Sequence, residues 1–136
     1  MISVVVTEAG VEDEFPLLLV GFSESQEQVG RDFFFQCDLR NNDYPAQSNW
    51  PGGETYCVTN ELSRTHYGGV EEVRFIDNRL TVRFSEKAAT ALRLDDTDFE
   101  LLVEAPADLA QLRSQLRKVL TCGRPEYVPR VLDIAA

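Results

Sequence analysis

The residue types that most often carry catalysis are few in this chain and far apart. His66 is its only histidine, and its three cysteines are Cys37, Cys57 and Cys122. Cys57 and His66 can act as a nucleophile and its base only if the fold brings them together. A strand cysteine and an exposed loop histidine are the simpler interpretation. With one histidine and no Cys-x-x-Cys pair, the sequence also argues against a structural zinc site.

Carboxylates and glycines form two weaker motifs. Asp95-Asp96-x-Asp98 is rich in oxygen ligands but lacks the spacing, the glycine and the closing glutamate of a calcium-binding loop, so we expect a solvated turn. Gly68-Gly69 precedes a strand rather than a helix, which predicts a tight turn and not a phosphate site. A carboxylate acid/base pair stays open as an alternative. We expect no metal, no cofactor and no catalytic residue.

The charge of the chain excludes some partners. Thirteen basic and 23 acidic residues give a formal net charge of −10. Eleven of the acids and only three of the bases lie in residues 1–68. Nucleic acids and anionic membranes attract clustered lysine and arginine, so neither is an expected partner. The sequence has no signal-peptide pattern and no apolar run of about 20 residues, and its odd cysteine count indicates reduced thiols, so we expect a soluble cytoplasmic protein.

Alternating and apolar stretches predict an α+β fold built on one antiparallel sheet of meanders and hairpins. Residues 2–7, 17–22 and 32–39 are typical of strands about a dozen positions apart, and 54–60 of a fourth. Glu12-Asp13-Glu14 is predicted to be an acidic turn between the first two. The whole chain, residues 1–136, is expected to form one domain.

The clearest local signal is a hairpin over residues 70–84, with Asp77-Asn78 as its two-residue loop. The register then pairs residues of matching character on both faces: Phe75 with Leu80, Val73 with Val82, Glu72 with Arg83, and Arg74 with Thr81. Agreement of both faces on one register makes this prediction stronger than that of any single strand.

Two helices are predicted after the hairpin. Ser85 is suited to cap a short helix over 86–92, and a strand over 99–104 follows it. Residues 107–121 have a 3.6-residue apolar period that predicts a longer amphipathic helix packed on the sheet. Its apolar stripe consists of Leu109, Leu112, Leu116, Val119 and Leu120. The tail is expected to add an edge strand around Tyr127-Val128 or Val131-Leu132.

Two features indicate a protein partner. The segment from Arg40 to Gly53 is long, irregular and carries two aromatic residues, and exposed aromatic residues on loops often anchor interfaces. The stretch from Glu8 to Glu27 contains acids and no base. The predicted partner-binding residues are Asp43, Tyr44 and Trp50 in the loop and Glu12, Asp13 and Glu14 in the acidic stretch. The alternatives are that Trp50 packs into the core and that the acids are merely solvated.

Residues 56–120 resemble the immunity protein 10 family of bacterial polymorphic toxin systems. The resemblance rests on Tyr67-Gly68-Gly69-Val70-Glu71-Glu72-Val73, on Asn78 to Phe84, on Ala88-Ala89 and Leu92-x-Leu94, on the strand Phe99 to Val103, and on Leu109, Leu112 and Leu116. The first 53 residues match only through the aromatic strand Phe33–Phe35.

This resemblance implies a small cytoplasmic protein that binds and neutralises a cognate toxin, with no catalytic residues to transfer. An acidic inhibitor suits a basic toxin such as a nuclease, because complementary fields speed association. Two alternatives stay open: a structural or regulatory subunit of another assembly, and an enzyme whose carboxylate site the sequence hides. The sequence leaves the oligomeric state undetermined.

Overall fold

The computed structural model describes residues 1–24, 30–42 and 55–134. Their α+β fold contains two five-stranded sheets rather than the single sheet predicted. The predicted loop residues Asp43, Tyr44 and Trp50 lie outside the described residues, as does Glu54 at the start of the predicted fourth strand. Neither of the two α-helices in the described part of the chain is long and apolar enough to cross a membrane.

Sheet 1 has the strand order β1-β9-β8-β7-β10. Its strands are β1 (Ile2–Val6), β7 (Val70–Ile76), β8 (Arg79–Phe84), β9 (Asp98–Val103) and β10 (Val131–Ile134). The predicted meander through β1 is wrong, because β1 pairs in parallel with β9. β10 pairs in parallel with β7, so the tail forms the edge strand at Val131–Ile134, one of the two positions expected. Tyr127 belongs instead to a short 3-10 turn, Pro125–Tyr127.

Sheet 2 is an antiparallel meander with the order β2-β3-β4-β5-β6. Its strands are β2 (Glu8–Glu14), β3 (Leu17–Ser23), β4 (Asp32–Asp38), β5 (Cys57–Asn60) and β6 (Thr65–Tyr67). The predicted acidic turn at Glu12-Asp13-Glu14 is wrong, because these residues end strand β2. Seven residue pairs between β2 and β3 hold this acid-rich segment in the sheet despite its low strand propensity.

The hairpin β7–β8 has the predicted register. Phe75 faces Leu80, Val73 faces Val82, and the Glu72–Arg83 and Arg74–Thr81 pairs lie on the opposite face. A register shift between Val70 and Glu72 marks a bulge at the start of β7. Asp77 in the turn has a φ of 52°, the left-handed conformation that the Asp-Asn pair tolerates.

Both predicted helices are present. α1 (Glu86–Ala91) begins after Ser85, whose hydroxyl accepts a hydrogen bond from the Ala88 amide. α2 (Leu109–Leu120) begins after Asp108, which caps the Gln111 amide in the same way. The buried residues of α2 are Leu112, Leu116, Val119 and Leu120, so the predicted stripe is the face that packs.

Aromatic side chains join the inner faces of the two sheets. Phe33 of sheet 2 stacks on Phe84 at 5.7 Å between ring centroids and meets Phe99 edge-on at 5.2 Å. Phe22 meets Phe75 edge-on at 6.2 Å. α2 lies on β2, β3 and β4 on the inner side of sheet 2 and also contacts β10. The core is therefore the space between sheet 2 on one side and sheet 1 with α2 on the other.

The chain crosses from sheet 2 to sheet 1 at Gly68-Gly69, the predicted tight turn. Both glycines have positive φ, 71° and 88°, a conformation that side chains with a Cβ rarely adopt. The buried Tyr56 hydroxyl stabilises this crossing, because it accepts a hydrogen bond from the Val70 amide at 3.0 Å and donates one to the Tyr127 carbonyl at 3.1 Å. Burial raises the pKa of Tyr56, so the hydroxyl stays protonated and can donate.

Leu116 is fully buried in the stripe of α2, so Leu116→Ala should leave a cavity and lower the free energy of unfolding by roughly 2–5 kcal/mol. Urea unfolding measures the change. Leu62→Ala is the matched control, because Leu62 is 52% exposed and its truncation should cost less than about 0.5 kcal/mol. Equal midpoints for the two variants would show that α2 is not docked as described.

Gly69→Ala should destabilise the protein by about 2 kcal/mol or more, because it adds a Cβ in the left-handed region and crowds the turn. That Cβ would lie 2.6 Å from the Ala88 Cβ and 2.8 Å from His66 Cδ2. Gly10→Ala in β2 is the control, since a Cβ there has nothing within 4 Å. Thermal unfolding distinguishes them, and a Gly69→Ala protein as stable as Gly10→Ala would contradict the crowding.

Candidate partner-binding surface

The acidic residues proposed from the sequence lie on β2, the edge strand of sheet 2. Glu12 and Glu14 pair with Leu19 and Leu17 and therefore share the outer face of the sheet with them. Asp13 pairs with the buried Leu18 and belongs to the inner side, although its side chain is exposed. The structure thus brings Glu12 and Glu14 to one face and separates Asp13 from them.

The outer face of sheet 2 consists of residues aligned in rows across the strands. One row runs Glu14, Leu17, Asp38 and the next runs Glu12, Leu19, Gln36. A third row contains Gly10, Gly21 and Phe34, and the fourth runs Glu8, Ser23, Asp32. Each of the first three rows contains one large apolar side chain, from Leu17, Leu19 and Phe34 in turn. The first and last rows each have one carboxylate on β2 and another on β4.

The apolar centre of this face is formed by Leu17, Leu19 and Phe34. Leu17 is 46% exposed, and the other two are partly exposed. The Phe34 ring lies directly over Gly21, where a Cβ would come within 2.8 Å of Phe34 Cδ1. A shallow depression of about 540 Å³ includes Leu19, Phe34 and Glu12, and a smaller one of about 210 Å³ includes Leu17 and Glu14.

The carboxylates on this face differ in whether a basic side chain lies beside them. Arg40 donates to both oxygens of Asp38, at 3.0 Å and 2.6 Å, and its hydrogen bonds lower the pKa of that carboxyl. Within the described residues, neither Glu12 nor Glu14 has a basic group within 4 Å. Glu12 and Glu14 therefore present negative charge next to exposed leucine, with no described basic group close enough to neutralise it.

The outer face of sheet 1 has a different character, because most of its charges are paired with one another. Glu72 lies at its centre, with Oε2 2.8 Å from Arg83 and 3.1 Å from Arg130. Arg83 also binds Asp98 through two parallel hydrogen bonds of 2.9 Å and 3.0 Å. Arg79 lies 3.7 Å from Glu100 on the same face. Apart from Asp133, this surface pairs the charges described here with one another.

The fold places Cys57 and His66 on adjacent strands, but not as a catalytic pair. His66 is opposite Val58 in β6, whereas Cys57 is opposite Tyr67, so the two side chains point to opposite faces of sheet 2. The expectation of an exposed loop histidine is also wrong, since His66 is a half-buried strand residue. Burial, aided by nearby Lys87, lowers the pKa of His66.

The three aspartates of Asp95-Asp96-x-Asp98 each contact a different cation. Asp95 lies 2.9 Å from Arg31, Asp96 lies 2.9 Å from the amino group of Met1, and Asp98 binds Arg83. The described ranges contain no group of three or more His, Cys, Asp or Glu side chains placed to hold a metal. The expected turn between α1 and β9 is present, but Asp98 itself begins β9 and the three carboxylates are ion-paired rather than merely solvated.

Sequence reasoning missed Leu17, Leu19 and Phe34 as surface residues. A signal for them exists in the unbroken runs Leu17–Val20 and Phe33–Phe35, because a strand of an antiparallel sheet with a solvated outer face should alternate. An uninterrupted apolar run in such a strand indicates that both of its faces are apolar. Which residues point outward follows only from the register with β2 and β4.

The Arg83–Asp98 pair predicts a specific pH dependence of stability. Hydrogen bonds from Arg83 lower the pKa of Asp98 below the ordinary value of about 3.9. The pair therefore stabilises the folded state above about pH 4, and this contribution is lost as the pH falls through the pKa of the folded state. Asp98→Asn should have a lower free energy of unfolding than the natural protein at pH 7. This difference in the free energy of unfolding should become smaller as the pH falls.

Urea unfolding at pH 7 and at successive steps below pH 4 measures this gap. Asp133→Asn on the same face is the control, because Asp133 has no ion pair in the described part of the chain. A gap for Asp98→Asn that is absent at pH 7, or that widens in acid, would contradict the stabilising pair.

Comparison with known proteins gives one family. The sequence matches Immunity protein 10 over residues 5–111. The match begins well before residue 56, where the resemblance in the sequence becomes clear, and ends within the first turn of α2. The search of curated proteins found no match. Since the family match covers well over half of the chain, the protein belongs to the immunity protein 10 family.

Proposed function

We propose that this protein neutralises a cognate bacterial toxin by binding it directly, as a single cytoplasmic domain without enzymatic activity. The observation that carries the proposal is the match to the Immunity protein 10 family over residues 5–111. Binding rather than catalysis agrees with the site chemistry, because Cys57 and His66 face opposite ways and the Asp95–Asp98 carboxylates are engaged in ion pairs.

The charge distribution supports a basic toxin, such as a nuclease whose own site must attract phosphate. The chain carries −10 overall. On the described surface, acids and bases of sheet 1 largely cancel one another, so the net negative charge lies mainly outside that face. Glu12 and Glu14 on β2 contribute to this net charge. A complementary field of this kind raises the association rate of oppositely charged proteins.

The proposed contact residues are those predicted from the sequence. Asp43, Tyr44 and Trp50 would supply the aromatic anchors and an adjacent carboxylate, and Glu12, Asp13 and Glu14 would supply charge. Support for the acidic set comes from its exposure on an edge strand. The loop set rests on composition alone, because aromatic residues on irregular segments often anchor interfaces.

Co-expression with the toxin encoded beside the gene of this chain tests the proposal. We expect this protein to restore growth, and the two purified proteins to form a stable complex with the toxin activity blocked. Binding without a block, or a block without binding, would contradict direct neutralisation. The absence of any neighbouring toxin gene would favour a structural or regulatory subunit instead.

Binding kinetics of two variants extend this test to the proposed contacts. Trp50→Ala should raise the dissociation rate and cost about 2 kcal/mol or more if the residue anchors the complex. Joint neutralisation of Glu12, Asp13 and Glu14 should mainly slow association and reduce its salt dependence. Unchanged rates for both folded variants would place the contact surface elsewhere.

A further inference from the structure

The outer face of sheet 2 has the composition of an interface, and among residues 1–24, 30–42 and 55–134 no other element packs on it. Leu17, Leu19 and Phe34 form a contiguous apolar centre, and carboxylates surround it at Glu12, Glu14, Asp32 and Asp38. Interfaces commonly consist of an apolar core within a polar rim. Contiguous apolar area on a protein surface frequently marks a binding site.

We propose, on the basis of the function proposed above, that this face receives an apolar patch of the toxin that is bordered by lysine or arginine. The apolar part of the partner would cover Leu17, Leu19 and the exposed side of Phe34. Its basic border would meet Glu12 and Glu14, whose charges have no basic partner within 4 Å in the described chain. The contact would thus be centred on the sheet face.

Protection of the sheet edge is a competing explanation for the acids alone. Charged side chains on an edge strand discourage the pairing of one chain with another. This explanation accounts for carboxylates on β2, but Leu17, Leu19 and Phe34 lie on β3 and β4, away from the edge. It also gives no reason for the apolar residues to share the outer face with Glu12 and Glu14.

A second copy of this chain is a poorer occupant than a basic partner. In a two-fold symmetric dimer the same patch meets itself, so the carboxylates of one copy would approach those of the other. Like charges brought together in this way oppose association. The outer face of sheet 1 offers no excess of positive charge to compensate, because its arginines are paired with Glu72, Asp98 and Glu100.

Glu12 and Asp133 provide a matched charge test, because both are exposed carboxylates on edge strands, Glu12 on the outer face of sheet 2 and Asp133 on the outer face of sheet 1. Glu12→Lys should slow association with the toxin encoded beside this chain's gene by about tenfold at low salt, and the effect should shrink at high salt. Asp133→Lys makes the same change in net charge and should change the rate by less than about threefold.

Leu17 and Val5 provide the matched apolar test. They are similarly exposed, at 46% and 42%, but Val5 lies on the outer face of sheet 1. Leu17→Ala should raise the dissociation rate by about tenfold or more, whereas Val5→Ala should leave it unchanged. Thermal unfolding of all four variants confirms that each is folded before its rates are compared.

The outcomes separate this proposal from the function on which it rests. If the natural protein binds the toxin but Glu12→Lys behaves like Asp133→Lys and Leu17→Ala like Val5→Ala, the docking face is wrong and toxin binding stands. If the natural protein does not bind the toxin, both are wrong. Sedimentation equilibrium showing a dimer that Glu12→Lys strengthens would assign the face to a second copy and overturn the proposal.

Discussion

The aromatic contact between the two sheets is the constraint on which the rest of the structure depends. Phe33 against Phe84 and Phe99, together with Phe22 against Phe75, commits one face of each sheet to the core. Aromatic side chains bury large apolar areas and favour the edge-on and offset geometries observed here. Successive side chains of a strand point to opposite faces of the sheet. Once the inner faces are fixed in this way, this alternation determines which residues point outward.

The outer faces of the two sheets differ in the side chains that they expose to solvent. Sheet 1 surrounds Glu72 with arginines, so most charges on its outer face are neutralised by neighbours on the same face. Sheet 2 exposes leucine and phenylalanine beside Glu12 and Glu14, which have no basic group within 4 Å in the described part of the chain. Sheet 1 also exposes Val5 and Ile76, but of these two described faces it is that of sheet 2 that combines exposed apolar side chains with carboxylates lacking a basic group within 4 Å in the described chain.

Local features of the fold were predictable from the sequence, and long-range ones were not. The hairpin β7–β8 and the capped helices α1 and α2 follow from turn residues, capping residues and periods contained within short windows. The parallel pairing of β1 with β9 depends on residues at distant positions, and no local pattern encodes it. β2 escaped prediction because its acids and Gly10 disfavour a strand, and only pairing with β3 overrides that preference. The candidate face was missed for the same reason, since an apolar run such as Leu17–Val20 does not reveal which side will be covered.

The connectivity of the sheets has a consequence for the order in which the chain acquires structure during synthesis. Every strand of sheet 2 pairs with its neighbour in the chain, whereas Ser3 of β1 meets Glu100 of β9 across 97 positions. Short loops close at a smaller entropic cost than long ones, so sheet 2 can assemble while β1 still awaits β9. Until the later strands are in place, Phe22 and Phe33 lack the partners Phe75, Phe84 and Phe99 that cover them in the folded protein. A sheet 2 formed at that point would expose its inner apolar face, and exposed apolar surface of this kind promotes aggregation.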